Sequence, residues 1–472
     1  MRTNRLTPRH MHPRPPEPPV AQRVESSRAI HGTTIEDPYA WLRDPRYPEV
    51  ADESILSYLE EENEYCRALL DPHRERIDAI YEELVGRVAR DDESVPVRDG
   101  AWEYRWRFSA DDEYRIHERR PAHGGEWQIV LDENELARGH DYFELGGLDV
   151  TEDGLVAYSV DTSGEERFVM RFRELGAQAD AVREEIPNTI GEPVWIPGTT
   201  TLLYLELNKE WRPYRVRLHT LGAPVGDDPV LYEEDDSAFF VDVDLSQDRR
   251  WVVVTTGDHV TSEVRVAPAE AISRITRTEP GGCAHAPLTL VAGRRTGHQY
   301  DVDHANGRFL ILSNDRHVNF RLVEADDSSP GESDWRELVP GRDDVYLRSF
   351  TPFADFIVLE ERMAAVDRIT IRSYDGDSHR VEFPEELHVA HLGENPEYDI
   401  DTVRIRYQSP VTPPTDYDYR VPDRSLVQRK VQQIPSGYDR SRYRTTRIMA
   451  PARDGARIPV SIVHRDDYPP DG

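Results

Sequence analysis

The 472-residue sequence predicts a mainly β fold, and within that class a seven-bladed β-propeller. Three observations point there. Between residues 87 and 424 short apolar runs alternate with turn residues, at strand rather than helical spacing. The runs group into units of three or four strands, and residues 240–266 show one clearly. Val241, Val243 and Leu245 alternate with Asp242 and Asp244. Trp251, Val252, Val253 and Val254 then form a continuous apolar run, and Val264 and Val266 alternate with Glu263 and Arg265. Finally, the unit recurs: middle-strand anchors at Leu155, Leu202, Trp251, Phe309, Phe356 and Val403 are 47, 49, 58, 47 and 47 residues apart. A period near fifty with short strands marks a propeller. A β-sandwich would need that spacing by chance.

The elements follow in order. Residues 1–24 are rich in Pro and Arg and poor in apolar side chains, which predicts a disordered tail. Residues 25–86 read as a helical extension. It opens with Asp37, Pro38, Tyr39, Ala40, Trp41, Leu42, Arg43 and Asp44, a turn in which Tyr39 and Trp41 are packing anchors. Over residues 49–70, Ile55, Tyr58, Leu59, Tyr65 and Leu69 recur at helical spacing, with the acidic run 60–64 as a solvated face. A second helix spans 72–85, with Pro72 suited to its first turn and Gly86 to its end. The propeller occupies 87–424, its first unit carrying Trp102–Phe108. Residues 425–472 include two further strands around Ile448 and Ile458, joined at Asp454 and Gly455, an Asp-Gly hairpin turn.

Charge excludes some functions. There are 90 acidic against 58 basic residues, a net charge of −32. Such a surface opposes nucleic acid and anionic membrane. No apolar run is long enough to span a bilayer, and residues 1–20 contain no apolar signal core. The two cysteines, Cys66 and Cys283, are far apart and outside any metal or redox spacing, so a reducing cytoplasm and buried, inert thiols are expected.

Residues of catalytic type are weighed against their bland alternatives. The clusters Asp111-Asp112-Glu113, Glu233 to Asp236 and Asp326-Asp327 could supply a glycosidase acid–base pair. Carboxylates adjacent in sequence rarely share one site, and 90 acids guarantee clusters by chance. Asp242 and Asp244 read as blade-surface residues. His285, His298, His304 and His317 lack ligand spacing and read as ordinary loop or strand histidines. No catalytic, metal or cofactor residue is assigned, and the substrate-binding residues are unknown.

Residues 37–44 resemble the N-terminal hallmark of the prolyl oligopeptidase family of serine peptidases. Finer matches resemble its oligopeptidase B branch: Phe143 to Gly147, Glu263 to Arg265, Gly393 to Pro396, Tyr443 to Arg447, and Ala452 to Gly455 followed by Ile458 to Val463. The resemblance implies a helical extension, a seven-bladed propeller covering the catalytic cavity, and an α/β-hydrolase domain whose first hairpin would be residues 443–463. It also implies hydrolysis of short peptides after Arg or Lys through a Ser-Asp-His triad, in the cytosol, without a cofactor. No Gly-x-Ser-x-Gly nucleophile elbow occurs in the sequence. The expectation is therefore an incomplete peptidase, inactive alone, with an exposed apolar patch at Ile55, Tyr58, Leu59 and the tail hairpin. Its partners would be short basic peptides once a hydrolase part is supplied, or a separate hydrolase fragment. A free-standing propeller that binds proteins or peptides is the alternative.

The charge also has two readings. An acidic surface with only Lys209 and Lys430 as lysines suits high salt, which screens its self-repulsion. A GC-rich genome that favours Arg codons would give a similar composition. On the high-salt reading, the melting temperature should rise between low and molar KCl; an unchanged or falling midpoint sinks it.

Overall fold

The computed structural model describes residues 16–47, 49–176, 184–275 and 288–468. Cys283 and His285 fall outside these residues, as does the expectation of disorder for residues 1–15. The chain forms two compact units, residues 1–88 with 434–437 and residues 89–433 with 438–472.

The first unit is organised by Asp44. Its carboxylate accepts hydrogen bonds from the backbone N–H groups of Arg46 at 2.8 Å, Ala51 at 2.8 Å and Asp52 at 3.0 Å. These bonds, that of Arg46 foremost, hold the Asp44 carboxyl well below the usual carboxylate range. They also fold the chain into helix α1 (Glu53–Leu70), which Asp52 caps by accepting from Ser54 N–H at 2.8 Å. Trp41 donates its indole N–H to the Gln22 carbonyl at 2.7 Å and meets Tyr58 edge-on, so it is an anchor. Tyr39 is 41% exposed and lies under the Arg23 guanidinium. A 3-10 turn (Asp71–His73) leads into helix α2 (Arg74–Val85). Two expectations are corrected. Ile55 is buried, at 2% exposure, so the apolar surface of α1 runs through Leu56 and Leu59. Cys66 is an exposed free thiol on α1.

The second unit is mainly β and propeller-like. Four sheets have four strands in sequence order, over residues 240–290, 300–339, 345–380 and 389–431. A fifth, over residues 92–132, has five strands. The expectation of seven separate blades is corrected by the sixth sheet, whose seven strands run in one path over residues 144–233. Its central strand, Glu185–Trp195, is the cause. The first half pairs with Phe168–Glu174, and the second half pairs with Thr201–Leu207. A β-bulge between Ile190 and Val194, with Gly191 at φ 77°, turns the strand from one partner to the other. The periodic anchors Leu155 and Leu202 thus lie in one sheet.

The core is a series of layers between neighbouring sheets. Val243, Val252 and Ile272 pack on Leu203, Val216 and Leu231. Phe309, Ile311 and Val323 pack on Val264 and Val266. Leu347, Ile357 and Leu359 pack on Leu310 and Leu322. Val403, Ile405 and Tyr417 pack on Val358 and Ile369. Continuous apolar middle strands are what a strand covered on both faces requires. Among the described residues, none of these clusters joins the last sheet (389–431) to the first (92–132). Those two meet through ions: Lys430 Nζ lies 2.7 Å from Asp92, and Arg98 Nε lies 3.5 Å from Glu397. The tail hairpin, Tyr443–Pro451 with Arg457–Arg465, forms as its Asp-Gly turn predicts, and leaves Ile448, Ile458 and Val463 exposed. No described helix is long and apolar enough to cross a membrane.

One buried polar network is not apparent from the repeats. His219 is fully buried, with Nδ1 2.9 Å from Asp228 and Nε2 2.8 Å from Glu184, while Tyr204 donates to Asp228 at 3.0 Å. Burial alone would lower the His219 pKa; the two carboxylates outweigh it and raise it. A raised folded pKa contributes stability that is complete below the unfolded value, about 6.5, and is lost as pH rises through the folded value. Asp228→Ala is expected to cost about 3–5 kcal/mol in urea unfolding at pH 6. The gap from the wild type should shrink toward pH 9, and a gap constant across that range would refute the linkage.

Candidate functional site

The innermost strands of the sheets start at one end of the propeller and finish at the other. They are Glu144–Val150, Phe240–Leu245, Tyr300–Ala305, Val345–Pro352 and Val389–Leu392, together with the second half of Glu185–Trp195. Alternation sends Val241 and Val243 back into the sheet layers, and sends Asp242 and Asp244 inward to the propeller axis. The same geometry brings Asp149, Glu192, Asp301, Asp303 and Glu394 toward that axis. Glu192 feels the charges of Asp244 and Asp242 on one strand and of Glu394 on another segment, as groups facing a common channel do.

The channel walls shift these acids. Burial pushes Asp303 up to about 7 and Asp149 up to about 6, against the hydrogen bonds that lower them. Asp303 Oδ1 accepts from Gln247 N–H at 2.8 Å and His304 N–H at 2.7 Å. Asp149 accepts from Trp195 N–H at 2.9 Å and Val150 N–H at 2.8 Å. Desolvation also raises Glu192, Asp244 and Asp301, which nevertheless touch solvent. The channel here is the space enclosed by the inner strands, where these carboxyls are partly covered by protein and partly open to solvent. Arg249 supplies a counter-charge, donating to Asp99 at 2.7 Å and lowering Asp149 through its field.

Close approach explains two glycines of the motif Phe143 to Gly147. A Cβ on Gly146 would sit 2.4 Å from the Phe168 ring, and one on Gly147 would sit 2.7 Å from the Glu192 backbone. Only glycine lets this inner strand lie so close to the next strands.

Ser246, Asp248 and His304 meet at the end where the inner strands finish. The Ser246 hydroxyl donates to Asp248 Oδ1 at 2.7 Å, and His304 Nδ1 lies 2.6 Å from Asp248 Oδ2. In a nucleophilic triad the histidine bridges hydroxyl and carboxylate. Here hydroxyl and imidazole both engage the carboxylate, and the side chains are almost wholly buried. The group braces the turn that carries Gln247 and Arg249.

The other residues weighed from sequence are engaged elsewhere. Asp112 accepts from Ser109, Glu233 pairs with Arg215, Glu234 with Arg294 and Asp326 with Arg336. His298 hydrogen-bonds Ser313, and His317 lies 3.3 Å from Asp343. The structure does not gather these residues into one site. The channel acids Asp149, Glu192, Asp301 and Asp303 are not singled out by the sequence. Their signal is an acid at alternate positions of an inner strand, which is readable only once the strand's place in the ring is known.

What this arrangement can do is select by charge. Carboxyls poised near neutral pH attract cations and repel anions, and low-dielectric walls strengthen both effects. The titration itself is testable. A carboxyl raised in the fold holds its proton where the unfolded chain has lost it, so stability falls as pH rises from about 4 to the folded value of about 7. Asp303→Asn keeps an acceptor for both backbone bonds and removes that charge. It should raise the melting temperature more at pH 8 than at pH 5; equal shifts at both pH values would contradict a raised pKa.

The family described as prolyl oligopeptidase, N-terminal beta-propeller domain, matches residues 18–432. Dipeptidyl aminopeptidase BI of Pseudoxanthomonas mexicana is 34% identical over 96% of this chain and 63% of that relative. Protease 2 of Moraxella lacunata is 28% identical over 94% of this chain and 63% of its own length. The structure of oligopeptidase B from Leishmania major superposes with a TM-score of 0.85 at 27% identity, covering 96% of this chain and 65% of that one. The chain therefore spans just under two thirds of the length of these relatives. The match of nearly the whole propeller, together with the strand order and the hallmark held by Asp44, shows that this chain belongs to the prolyl oligopeptidase family, as its N-terminal and propeller portion.

Proposed function

We propose that this chain serves an oligopeptidase B-like serine peptidase that hydrolyses short peptides after Arg or Lys, with the propeller limiting access to the catalytic cavity. One observation carries the reading: the acidic channel through a propeller of this family, with Asp149, Glu192, Asp242, Asp244 and Asp301 on its wall. Such a wall favours a cationic peptide and disfavours an anionic one. On this reading the passage between the inner strands would admit an extended chain and exclude a folded domain.

The chemistry would be acyl transfer: a serine attacks the peptide carbonyl, a histidine takes its proton, and an acid orients the histidine. The proposal places those three groups in the third of the relatives' length that this chain does not span. The exposed thiol of Cys66 fits a reducing cytoplasm. The printed name of the Pseudoxanthomonas mexicana relative favours a second specificity, release of dipeptides from a free amino end.

A fusion of this chain to the remaining C-terminal part of that relative tests both. The fusion should hydrolyse an N-blocked Arg-Arg amide, lose this activity to a serine-directed inhibitor, and leave a folded protein uncut. Faster turnover of a free-amine dipeptidyl amide would select the dipeptidyl reading. Equal rates after neutral residues, in a fusion that still melts cooperatively, would overturn the basic specificity.

A further inference from the structure

The connection between Val389–Leu392 and Thr402–Gln408 is unusually tied for a surface loop. It starts at Gly393, where a Cβ would come within 2.7 Å of the Arg404 side chain, and runs to Asp401. Partners from other sheets hold it. Gln247, on the turn after Phe240–Leu245, donates its side-chain amide to the Asn395 carbonyl at 2.8 Å, a bond between residues 148 positions apart. Ala354 N–H, from the sheet 345–380, donates to the Tyr398 carbonyl at 3.0 Å. The Tyr398 hydroxyl reaches Asn306 of the sheet 300–339 at 3.2 Å, and Arg98 of the sheet 92–132 lies 3.5 Å from Glu397. A segment that touches four other sheets at once lies across the axis, at the end where the inner strands finish.

We infer that residues 393–401 form a strap that closes this end of the channel, latched by Gln247, so that ligands enter from the opposite end. Three observations support it. The latch is built: Gln247 also donates its backbone N–H to Asp303, Ser246, Asp248 and His304 brace its turn, and Arg249 beside it holds a positive φ of 57°. A non-glycine residue in that region persists only where its surroundings impose it. The strap is held by these polar bonds and by Tyr398 and Ile400, which pack on the apolar layers beside it, and a cavity of about 240 Å³ lies between it and the first sheet, lined by Pro96, Arg98, Glu397 and Arg404. The opposite end, where the inner strands start, is a rim with Phe240 47% exposed, Val318 79% exposed, and Trp211, Tyr346 and Val389 also exposed. The inference concerns the channel alone and holds whether or not the chain serves a peptidase.

Thiol labelling tests it. In a Cys66→Ser, Cys283→Ser background, Asp244→Cys reports from the strap side of one inner strand and Phe240→Cys from the rim. The reagent is a neutral coumarin maleimide, so that channel charge does not bias its entry. Gln247→Ala should raise the ratio of the labelling rate at position 244 to that at position 240 on the order of tenfold, as loss of a cross-channel hydrogen bond frees the strap. Tyr398→Phe, which keeps the ring and removes only the bond to Asn306, should raise it in the same direction. An unchanged ratio in both variants, each with its cooperative melting transition intact, would falsify the strap.

Discussion

A ring of sheets must close on itself, and in this chain the closure is ionic. The layers from residue 130 to residue 419 are apolar, strand on strand. At the join between first and last sheets that packing is replaced by Lys430 with Asp92 and Arg98 with Glu397. Arg404 adds a bond to the Pro96 carbonyl at 3.4 Å. Lys430 also lies 5.3 Å from the centroid of the Trp106 ring, so one of only two lysines in the sequence is placed at this join. Partly exposed ion pairs are individually worth little, about 0–1 kcal/mol, and weaken further in salt. The join is thus the softest boundary of the ring. The loop 393–401 matters for the same reason: it ties the last sheet to the middle ones across the axis, which the join itself does not do.

Arginine is used here for its shape as well as its charge. Arg105 and Arg120 lie over Trp127, Arg119 over Trp102, Arg167 over Trp211, and Arg294 over Phe239. Arg321 is almost fully buried and makes two bonds to Asp315, at 2.8 and 2.7 Å. A flat guanidinium can stack and fork in this way, and an ammonium cannot. Codon bias could explain many arginines, but not their placement on aromatic faces. Acidic residues outnumber basic ones, 90 to 58, so part of the negative charge has no basic side chain to offset it. Salt should therefore relieve repulsion at the acids while weakening the cationic join, and the two effects oppose each other.

The legibility of the sequence follows from the range of each interaction. Strand alternation and the Asp454-Gly455 turn are local, and both helices and the tail hairpin form where the pattern places them. The fusion of two repeats is hidden because it depends on a bulge at Gly191, which looks like any turn glycine between strands. Ile55 reads as part of an exposed stripe, since helical spacing gives a face without saying what covers it. The motif residues 37–44 signal importance, and the structure supplies the reason: Asp44 gathers three backbone N–H groups and Trp41 ties back to residue 22. The channel acids are illegible because their shared environment exists only after distant segments close into a ring.

That ring also reconciles an acidic channel with a stable fold. Like charges at the axis repel, yet burial favours their neutral forms, and Asp303 and Asp149 can hold protons at pH values where exposed carboxyls cannot. Backbone N–H groups from Gln247, His304, Trp195 and Val150 then serve either protonation state without rearrangement. A wall of permanent, unpaired carboxylates would bear the full repulsion at all times. Acids raised toward neutrality escape part of it at mildly acid pH, where Asp303 and Asp149 hold their protons.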